Sequence, residues 1–418
     1  MKTGGHFDAL ETRDPELRER EQLADLPRQV AHAKANSPAF ARILAAVDPA
    51  AVDSRAALAR LPVTRKSELP EIQKAARPFG GLAASQWGRG DAGPARVFAS
   101  PGPIYEPEGR GADYWRMARA LYAAGFRKGD LVHNCFAYHF SPAGSMFETG
   151  ALALGCTVFP GGTGQTEQQV HAIADLQPAG YVGTPSFLKI IVEKADEMGA
   201  KIASLTKALV SAEPFPASLR DALLARGIAG FQVYGSADLG NIAYETEARS
   251  GLVVDEGVLV EIVRPGTGVP VAPGEVGEVV VTALVNADYP LIRFATGDLS
   301  AVLPGASPCG RTNLRIKGWM GRADQTTKVK GLFVHPAQVA AVIARHPEVG
   351  RARLVVDNAD GGDRMTLHVE VAANRSSNAE AIVASIRDVT KLRGEVAFHA
   401  PGELPNDGKV IEDSRKFD

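Results

Sequence analysis

The fold is decided by the sequence I-R-F-A-T-G-D-L-S at residues 292–300 and by G-W-M-G-R-A-D-Q-T-T-K-V-K-G at 318–331. The first segment predicts an apolar strand that ends on Thr296, Gly297 and Asp298. An ionised Asp accepts two hydrogen bonds and a neighbouring Gly lets a ligand approach, so this strand end suits the hydroxyls of a ribose. After the second segment the composition changes, which predicts a junction and a smaller second domain. The two features together indicate an enzyme whose parts move around a nucleotide.

The composition excludes several classes of protein. The chain has 418 residues, of which 45% are apolar and 22% charged, and this is typical of roughly two to three globular domains. A net charge of −2 predicts no nucleic-acid partner and no anionic membrane partner. We expect no signal peptide and no membrane span, because no uncharged apolar run reaches ~18 residues. Three scattered cysteines (Cys135, Cys156 and Cys309) form no C-x-x-C pattern, which favours a reducing cytoplasm.

The N-terminal region reads as helical. Leucine and valine residues recur at helical spacing between residues 11 and 46, and Pro27 is predicted to divide this region into two helices. Thr64 is predicted to cap a further helix.

Short apolar segments alternate with helical segments between residues 130 and 236. The predicted strands are Leu131 to Cys135, Thr157 to Phe159, Gly180 to Gly183, Ala208 to Ser211 and Phe231 to Tyr234. This alternation is typical of a parallel sheet covered on both faces, which binds ligands at the carboxyl ends of its strands.

The pattern becomes β-rich between residues 252 and 303. After residue 324 the order reads strand (Lys328 to Val334), helix, two strands, helix and strand, which resembles a ferredoxin-like α+β domain. The predicted fold is therefore α/β: a large multi-layer N-terminal domain with parallel sheets and a β-rich subdomain, followed by a small α+β ferredoxin-like C-terminal domain.

Several short motifs, in order and at consistent spacing, resemble those of the adenylate-forming superfamily, the acyl-CoA synthetases. They are S-A-E-P (211–214), Y-G-S-A-D-L-G (234–240), A-T-G-D (295–298), G-R-A-D (321–324), K-V-K-G (328–331) and L-P-N-D-G-K (404–409). Within that superfamily the chain is similar to the phenylacetate-CoA ligases, through G-C-T-V (155–158), G-Q-T-E (164–167) and L-P-V-T-R (61–65). The resemblance covers nearly the whole chain.

The resemblance implies a reaction in two steps. Such enzymes first join a carboxylic acid to ATP, which gives an acyl-AMP and pyrophosphate. The small domain then rotates, and the thiol of coenzyme A attacks the acyl-AMP. For this chain it implies a large domain at 1–320, a hinge at 321–325 and a small mobile domain at 326–418.

The resemblance also assigns roles to residues. It implies a nucleotide site, with an adenine-binding loop, a stacking tyrosine and a ribose carboxylate, at Ser211, Ala212, Glu213, Pro214, Tyr234, Gly235, Ser236, Asp298 and Arg322. Asp238 corresponds to the Mg²⁺ ligand, where relatives usually carry Glu. Lys409 corresponds to the adenylation lysine, whose ammonium neutralises charge between carboxylate and α-phosphate. Without the resemblance, Lys409 reads as a solvated residue after a turn.

Further assignments concern the hinge and the two substrates. Asp324 corresponds to the hinge residue, and Lys330 with Gly331 corresponds to the loop that serves thioesterification. Three aromatic residues align with the acyl pocket of the subgroup and favour an aryl substrate, although an aromatic cluster is more often core: Phe136, Tyr138 and Phe140.

The chain departs from the family pattern at the phosphate loop. Relatives carry Ser, Thr, Gly and a final Lys, whereas residues 99–109 read A-S-P-G-P-I-Y-E-P-E-G. Three prolines remove backbone donors, and Glu106 and Glu108 add negative charge where phosphates are expected. Ala237 also lacks a hydroxyl that relatives often have. At 241–255 some relatives carry Cys or His ligands for a structural metal, but this chain has Tyr244, Thr246 and Val254, so no zinc is predicted.

The sequence therefore predicts a cytoplasmic acid–CoA ligase that uses ATP, Mg²⁺ and coenzyme A to convert a phenylacetate-like or benzoate-like acid. A homodimer is possible by resemblance. Two alternatives follow from the altered loop. One is acyl transfer from a preformed acyl-AMP or acyl-CoA without ATP, and the other is a catalytically inactive homologue that binds a nucleotide or acyl-CoA.

Overall fold

The computed structural model describes the chain except for residues 1–4, 86–92, 321, 324–326, 331, 335, 359–361, 372–377, 406–409 and 416–418, and except for the side chains at 328, 333, 336 and 337. The chain divides into two compact units, Met1–Met320 and Gly321–Asp418. Within the described ranges, no helix combines the length and the apolar surface needed to span a bilayer.

The first unit mixes helices and strands along its whole length. Its helices are α1 (Pro15–Asn36), α2 (Pro38–Ile43), α3 (Arg55–Leu58), α4 (Leu69–Ala75), α5 (Met117–Ala123), α6 (Ala143–Ala153), α7 (Thr166–Leu176), α8 (Pro185–Met198) and α9 (Ala217–Ala225). Its strands are β1 (Thr64–Arg65), β2 (Arg96–Ser100), β3 (Ile104–Glu108), β4 (Leu131–Asn134), β5 (Thr157–Phe159), β6 (Gly180–Gly183), β7 (Lys207–Val210), β8 (Ala229–Ser236), β9 (Gly240–Glu245), β10 (Leu252–Val254), β11 (Val258–Val263), β12 (Gly277–Ala283), β13 (Phe294–Ser300), β14 (Val302–Leu303) and β15 (Arg315–Ile316).

The largest sheet has nine strands in the order β14-β15-β10-β9-β8-β7-β6-β4-β5. The half from β5 to β8 is parallel, and β8 pairs antiparallel with β9. Val182, Leu209 and Ile242 are fully buried, as expected for strands covered on both faces. The predicted α/β fold is confirmed, and the strands predicted at Thr157–Phe159 and Gly180–Gly183 agree residue for residue.

A second sheet has the order β1-β13-β12-β11 and contains part of the predicted β-rich region. Its strand β13 runs on to Ser300 rather than ending at Asp298. The β12–β13 pairing loses its register between Glu278 and Val280, opposite Thr296 to Asp298, and Gly297 lies there at φ +77°. A bulge with glycine in the left-handed region bends a strand locally and re-aims its side chains, which here places Asp298 beside other polar groups.

Two predictions for the N-terminal region were wrong. Helix α1 runs through Pro27 without a break, because Leu26 and Val30 on either side of it are fully buried and hold the helix against the core. Packing there outweighs the one lost backbone hydrogen bond. Thr64 does not cap a helix; its N–H donates to the Arg293 carbonyl over 3.1 Å, and it begins the two-residue strand β1, parallel to β13.

The second unit contains β16 (Thr327–Val329), β17 (Leu332–Val334), α10 (Pro336–Ile343), β18 (Val349–Asp357), β19 (Arg364–Val371), α11 (Ala379–Thr390), β20 (Glu395–His399) and β21 (Ile411–Asp413). A mixed sheet has the order β20-β19-β18-β21, and β16 pairs with β17 as a hairpin. The single strand predicted from Lys328 to Val334 is wrong, because Lys330 adopts φ +47° and the chain turns back. The ferredoxin-like arrangement stays a prediction.

Candidate active site in the first unit

A tyrosine and a carboxylate from different sheets meet at the predicted nucleoside position. The Tyr234 hydroxyl donates to Asp298 Oδ2 over 2.9 Å and lies 3.1 Å from Thr296 Oγ1. The indole N–H of Trp319 donates to the other oxygen, Asp298 Oδ1, over 3.1 Å. The sequence predicted Tyr234 and Asp298 in one site, and the structure places them in contact. Trp319 lies in the segment 318–331 quoted above, but no role was predicted for it from the sequence.

The residues after Tyr234 are constrained by close backbone packing. A Cβ atom on Gly235 would lie 2.4 Å from the Gly240 carbonyl oxygen, so only glycine fits at the bulge between β8 and β9. Ser236 Oγ accepts from the N–H of Leu239 and lies 3.4 Å from Asp238 Oδ2. Tyr234, Gly235 and Ser236 therefore form the fixed end of β8, and the turn that follows carries the buried carboxylate of Asp238.

The loop predicted to bind adenine lies between β7 and α9. Ser211 Oγ donates to the Val233 carbonyl over 2.8 Å, which joins the loop to β8 next to Tyr234. Ala212 is exposed at φ +70°, a left-handed conformation that non-glycine residues adopt rarely and that is often found at functional sites. Glu213 Oε2 accepts from the N–H of Ser186 over 3.4 Å, and Pro214 follows, half-buried.

A lysine outside every motif forms an ion pair with the predicted metal ligand. Lys66 Nζ donates to Asp238 Oδ2, and the Asp238 side chain is fully buried. Burial alone would lower the pKa of Lys66, but the charges of Asp238, Glu106 and Asp298 outweigh burial and raise that pKa. These charges favour the ammonium form of Lys66, which links the nucleoside side to the hairpin β2–β3.

Lys66 reaches this position because of strand pairing. In β1, Thr64 lies beside Phe294 and Arg65 beside Ala295, so the next residue, Lys66, lies at the level of Thr296. The subgroup motif L-P-V-T-R at 61–65 ends one residue before this lysine. A basic residue directly after that motif was the only indication in the sequence, and it does not predict the pairing of β1 with β13.

The segment 99–109 is a β-hairpin rather than an open loop, and one of its carboxyl groups points into the molecule. Glu106 is fully buried; it accepts from the Ser100 N–H over 3.2 Å and from the Ser100 hydroxyl. Burial raises the pKa of Glu106, and the neighbouring charge of Asp238 raises it further, against the opposing effects of Lys66 and Ser100. Glu108 instead forms an ion pair with Arg96 over 2.7 Å and accepts from the Ser145 hydroxyl over 2.7 Å.

The cluster contains an oxygen suited to a metal ion. Among the described residues, nothing donates to Asp238 Oδ1, although that atom is buried. A free carboxylate oxygen is the kind of ligand that Mg²⁺ prefers beside phosphates, so Asp238 fits the predicted ion. The opposite oxygen is bound to Lys66, which leaves Asp238 one oxygen for a metal. Within the described ranges, no group of three or more His, Cys, Asp or Glu side chains could hold a metal.

The three aromatic residues predicted for the acyl pocket do not converge. Phe136 is buried in the core, where its ring stacks on Phe147 with 4.5 Å between centroids. Tyr138 is half-buried, and its hydroxyl accepts from the Asn134 side-chain amide over 2.8 Å. Phe140 has 78% of its surface exposed, and its carbonyl accepts from the Ala99 N–H of the hairpin. The acyl-pocket assignment stays a prediction.

Only some of the site residues predicted in the second unit lie within the described part of the chain. Asp324, Gly331 and Lys409 lie outside the described residues. Lys330 is exposed, and its N–H donates to Asp363 Oδ2 over 2.8 Å. Arg322 is half-buried.

The region where zinc was predicted to be absent is occupied by other interactions. The Tyr244 hydroxyl donates to Glu11 Oε1 over 2.6 Å, and Thr246 and Val254 are buried.

Comparisons with known proteins agree with the geometry. The AMP-binding enzyme family matches residues 112–284. The phenylacetate-coenzyme A ligase of Thermus thermophilus is 34% identical over 382 residues, covering 87% of this chain and 83% of the relative. The ligase of the same name from Aromatoleum evansii is 33% identical over 367 residues, covering 84% and 81%. A solved 2-hydroxyisobutyryl-CoA ligase, in complex with 2-HIB-AMP and CoA, has 25% identity and a TM-score of 0.76, covering 97% of this chain and 92% of that chain.

The fold and the site thus define an adenylate-forming enzyme of the AMP-binding class. More specifically, the chain belongs to the phenylacetate-coenzyme A ligase family, whose members are AMP-forming acid–CoA ligases. The resemblance and the enzyme class predicted from the motifs are confirmed.

Proposed function

We propose that this chain converts a small aromatic carboxylic acid into its coenzyme A thioester through an acyl-adenylate. One observation carries the proposal: the Tyr234–Asp298 contact and the Lys66–Asp238 ion pair lie in one site, close enough for Lys66 to feel the charge of Asp298. A carboxylate for ribose beside a cation for phosphate is the set of groups that an adenylate requires. Curated relatives named phenylacetate-coenzyme A ligase, at 33% and 34% identity, support the same conclusion.

In the first half-reaction the carboxylate of the acid attacks the α-phosphorus of ATP. A P–O bond forms, the bond to the β-phosphate oxygen breaks, and pyrophosphate leaves. Lys66 lies where its ammonium can offset negative charge on the phosphates, and Asp298 holds the ribose hydroxyls. A Mg²⁺ ion held by Asp238 would neutralise phosphate charge. Lys409 is proposed, by resemblance, to act between the carboxylate and the α-phosphate.

In the second half-reaction the thiol of coenzyme A attacks the acyl carbonyl. The C–S bond forms, the bond to the AMP oxygen breaks, the thiol proton is released and AMP leaves. We assign this step to the second unit by resemblance, with Asp324 as hinge and Lys330 and Gly331 as the loop that serves thioesterification. Arg322 is assigned to ribose and phosphate. A rotating unit of this kind would present two faces to one substrate.

The aromatic acid is the finer part of the proposal. It rests on the names of the curated relatives and on the aromatic segment 136–140, of which Tyr138 is the half-buried member. The solved relative is named for a small aliphatic hydroxy acid instead. A panel that contains phenylacetate, benzoate and 2-hydroxyisobutyrate therefore separates the two acid classes directly.

The decisive experiment follows both half-reactions in the full-length protein. Acid-dependent exchange of label between pyrophosphate and ATP, at millimolar nucleotide, reports adenylation, and mass spectrometry reports AMP and acyl-CoA. Exchange and thioester formation with an aryl acid are expected. No exchange with any acid, but thiolysis of supplied acyl-AMP, would favour use of a preformed adenylate. AMP binding without either half-reaction would favour an inactive homologue.

The variant Lys409→Ala tests the division of labour. Adenylation should fall at least ~100-fold, while thiolysis of supplied acyl-AMP should stay within about threefold, because an oriented cation acts on the developing phosphate charge of the first step. Equal loss of both steps would contradict this role. A cytoplasmic location and a homodimer are further parts of the proposal, and sedimentation velocity of the purified protein tests the dimer.

A further inference from the structure

The hairpin of β2 and β3 carries its own acidic side chain at the position expected for phosphate. Residues 99–109 align with the phosphate loop of the family, and within them Glu106 is fully buried and faces Lys66 and Asp238. A carboxylate and a phosphate oxygen use the same donors and the same cations. The chain therefore places an acidic group where the resemblance implies that a substrate phosphate binds.

The backbone donors of this hairpin are already engaged or missing. The N–H of Ser100 donates to Glu106 Oε2 over 3.2 Å, and its hydroxyl donates to Oε1. The N–H of Ala99 donates to the Phe140 carbonyl over 2.8 Å. Pro101 and Pro103 carry no N–H. Loops of this kind bind phosphate through several free backbone N–H groups, and the described hairpin offers few such groups.

The arrangement is held in place from both sides. Gln73 on α4 makes two hydrogen bonds of 2.8 Å to the backbone of Tyr105, the residue before Glu106. Glu108, two residues further on, is bound by Arg96 and Ser145. These contacts hold the strand on both sides of Glu106, and the strand directs the Glu106 side chain into the molecule.

We propose that Glu106 is a specificity-determining residue that occupies the polyphosphate subsite, so that the site favours nucleotides with one phosphate over those with two or three. The inference rests on the proposed function and deepens it. AMP and acyl-AMP need only the nucleoside groups and Lys66, whereas the β- and γ-phosphates of ATP, or free pyrophosphate, must displace the Glu106 carboxyl group from Ser100. Pyrophosphate formed in the first half-reaction is then held weakly and leaves readily.

Binding measurements test this directly. Calorimetric titration with inorganic pyrophosphate, ATP and AMP is carried out on the wild type, Glu106→Ala and Glu106→Gln. Glu106→Ala frees both donors of Ser100 and removes the carboxyl group, so its affinity for pyrophosphate and for ATP should rise at least ~10-fold, with AMP affinity within about threefold. Glu106→Gln keeps the shape and an oxygen that accepts from Ser100 and loses only the ability to ionise, so a smaller rise is expected. If both variants bind pyrophosphate no better than the wild type, the proposal is overturned.

A matched control lies in the same strand. Glu108→Gln weakens the anchor to Arg96 but frees no donor of Ser100, so it should bring no gain in pyrophosphate affinity. An equal gain in Glu108→Gln would mean that any loosening of the hairpin suffices, and would refute a specific role for Glu106. Failure of the ligase proposal is separable, because it appears in the wild type as absent acid-dependent exchange between pyrophosphate and ATP, whatever the affinity for pyrophosphate does in the variants.

Discussion

The two sides of the site, nucleoside and phosphate, are built differently. On the nucleoside side, the Tyr234 hydroxyl and the Trp319 indole N–H donate to the carboxylate of Asp298, and that side chain remains half-buried. On the phosphate side, Lys66 and Asp238 form an ion pair beside the buried carboxyl group of Glu106. The nucleoside side offers a carboxylate that can accept hydrogen bonds from ligand hydroxyls, whereas the charged groups of the phosphate side interact mainly with one another.

This difference explains why one side followed the family pattern and the other did not. Hydroxyl recognition requires one oriented carboxylate, and a strand bulge at Gly297 provides it. Phosphate recognition requires free donors and a net positive field, and Glu106 opposes both. A chain can therefore retain its nucleoside site while changing how strongly it holds polyphosphate.

The largest effect is expected from removing the cation that joins the two sides. Lys66→Met leaves the buried carboxylate of Asp238 without its partner, and the loss of a partner in a buried pair costs about 3–5 kcal/mol. Adenylation should fall at least ~100-fold. Acyl-CoA formation is measured beside Lys74→Met, an exposed lysine on α4 that should leave the rate unchanged.

The conservative variant Lys66→Arg is the control for misfolding of Lys66→Met. It keeps the charge, so the loss should be no more than ~10-fold, and a normal circular dichroism spectrum confirms folding. If Lys66→Met adenylates the acid at the wild-type rate, Lys66 does not contribute to phosphate binding or to adenylation.

A smaller effect is expected on the nucleoside side. Asp298→Asn halves the acceptor capacity and removes the charge offered to ribose, and a charge-assisted hydrogen bond contributes about 1.5–3 kcal/mol. AMP should bind roughly 10- to 100-fold more weakly, while pyrophosphate affinity stays the same. Calorimetry with both ligands checks this, with the exposed Asp221→Asn as control. Equal weakening of both ligands would show that the two sides are not separable.

The hydroxyl of Tyr234 should matter less than its ring. Tyr234→Phe keeps the aromatic face and loses the bond to Asp298, at a cost of about 1 kcal/mol, so AMP should bind roughly fivefold more weakly. Tyr234→Leu also removes the ring and should weaken AMP further if the ring stacks on adenine. Identical affinities for the two variants would argue against stacking.

The same contrast shows what can be read from a sequence. Tyr234 and Asp298 lie in local motifs, and each follows an apolar run that predicts a strand. The Lys66–Asp238 pair joins residues 172 positions apart, and it depends on the two-residue strand β1, which is too short to give a period. The sequence shows Glu106 as an acidic residue where phosphate is expected. The inward direction of its side chain follows from the register of the hairpin, in which Ser100 lies opposite Ile104. Pro27 was misjudged for a related reason, since the packing that holds α1 together is tertiary.

The smallest predicted effect concerns stability and pH. Because the folded-state pKa of Glu106 is raised above its ordinary value of 4.5, the protonated form is favoured by folding. Its contribution to stability is fully present below about pH 4.5 and is lost as pH rises through the raised pKa. Glu106→Gln is always neutral and lacks this loss. Its melting temperature should therefore match the wild type near pH 4.5 and exceed it increasingly as pH rises.

Thermal melts of the wild type and Glu106→Gln at several pH values check this prediction. If the wild type and Glu106→Gln keep a constant difference in melting temperature from pH 5 to 9, Glu106 titrates normally in the folded protein. The phosphate side would then hold two ionised carboxylates against the single charge of Lys66, and the exclusion of polyphosphate would be mainly electrostatic rather than a matter of occupied donors.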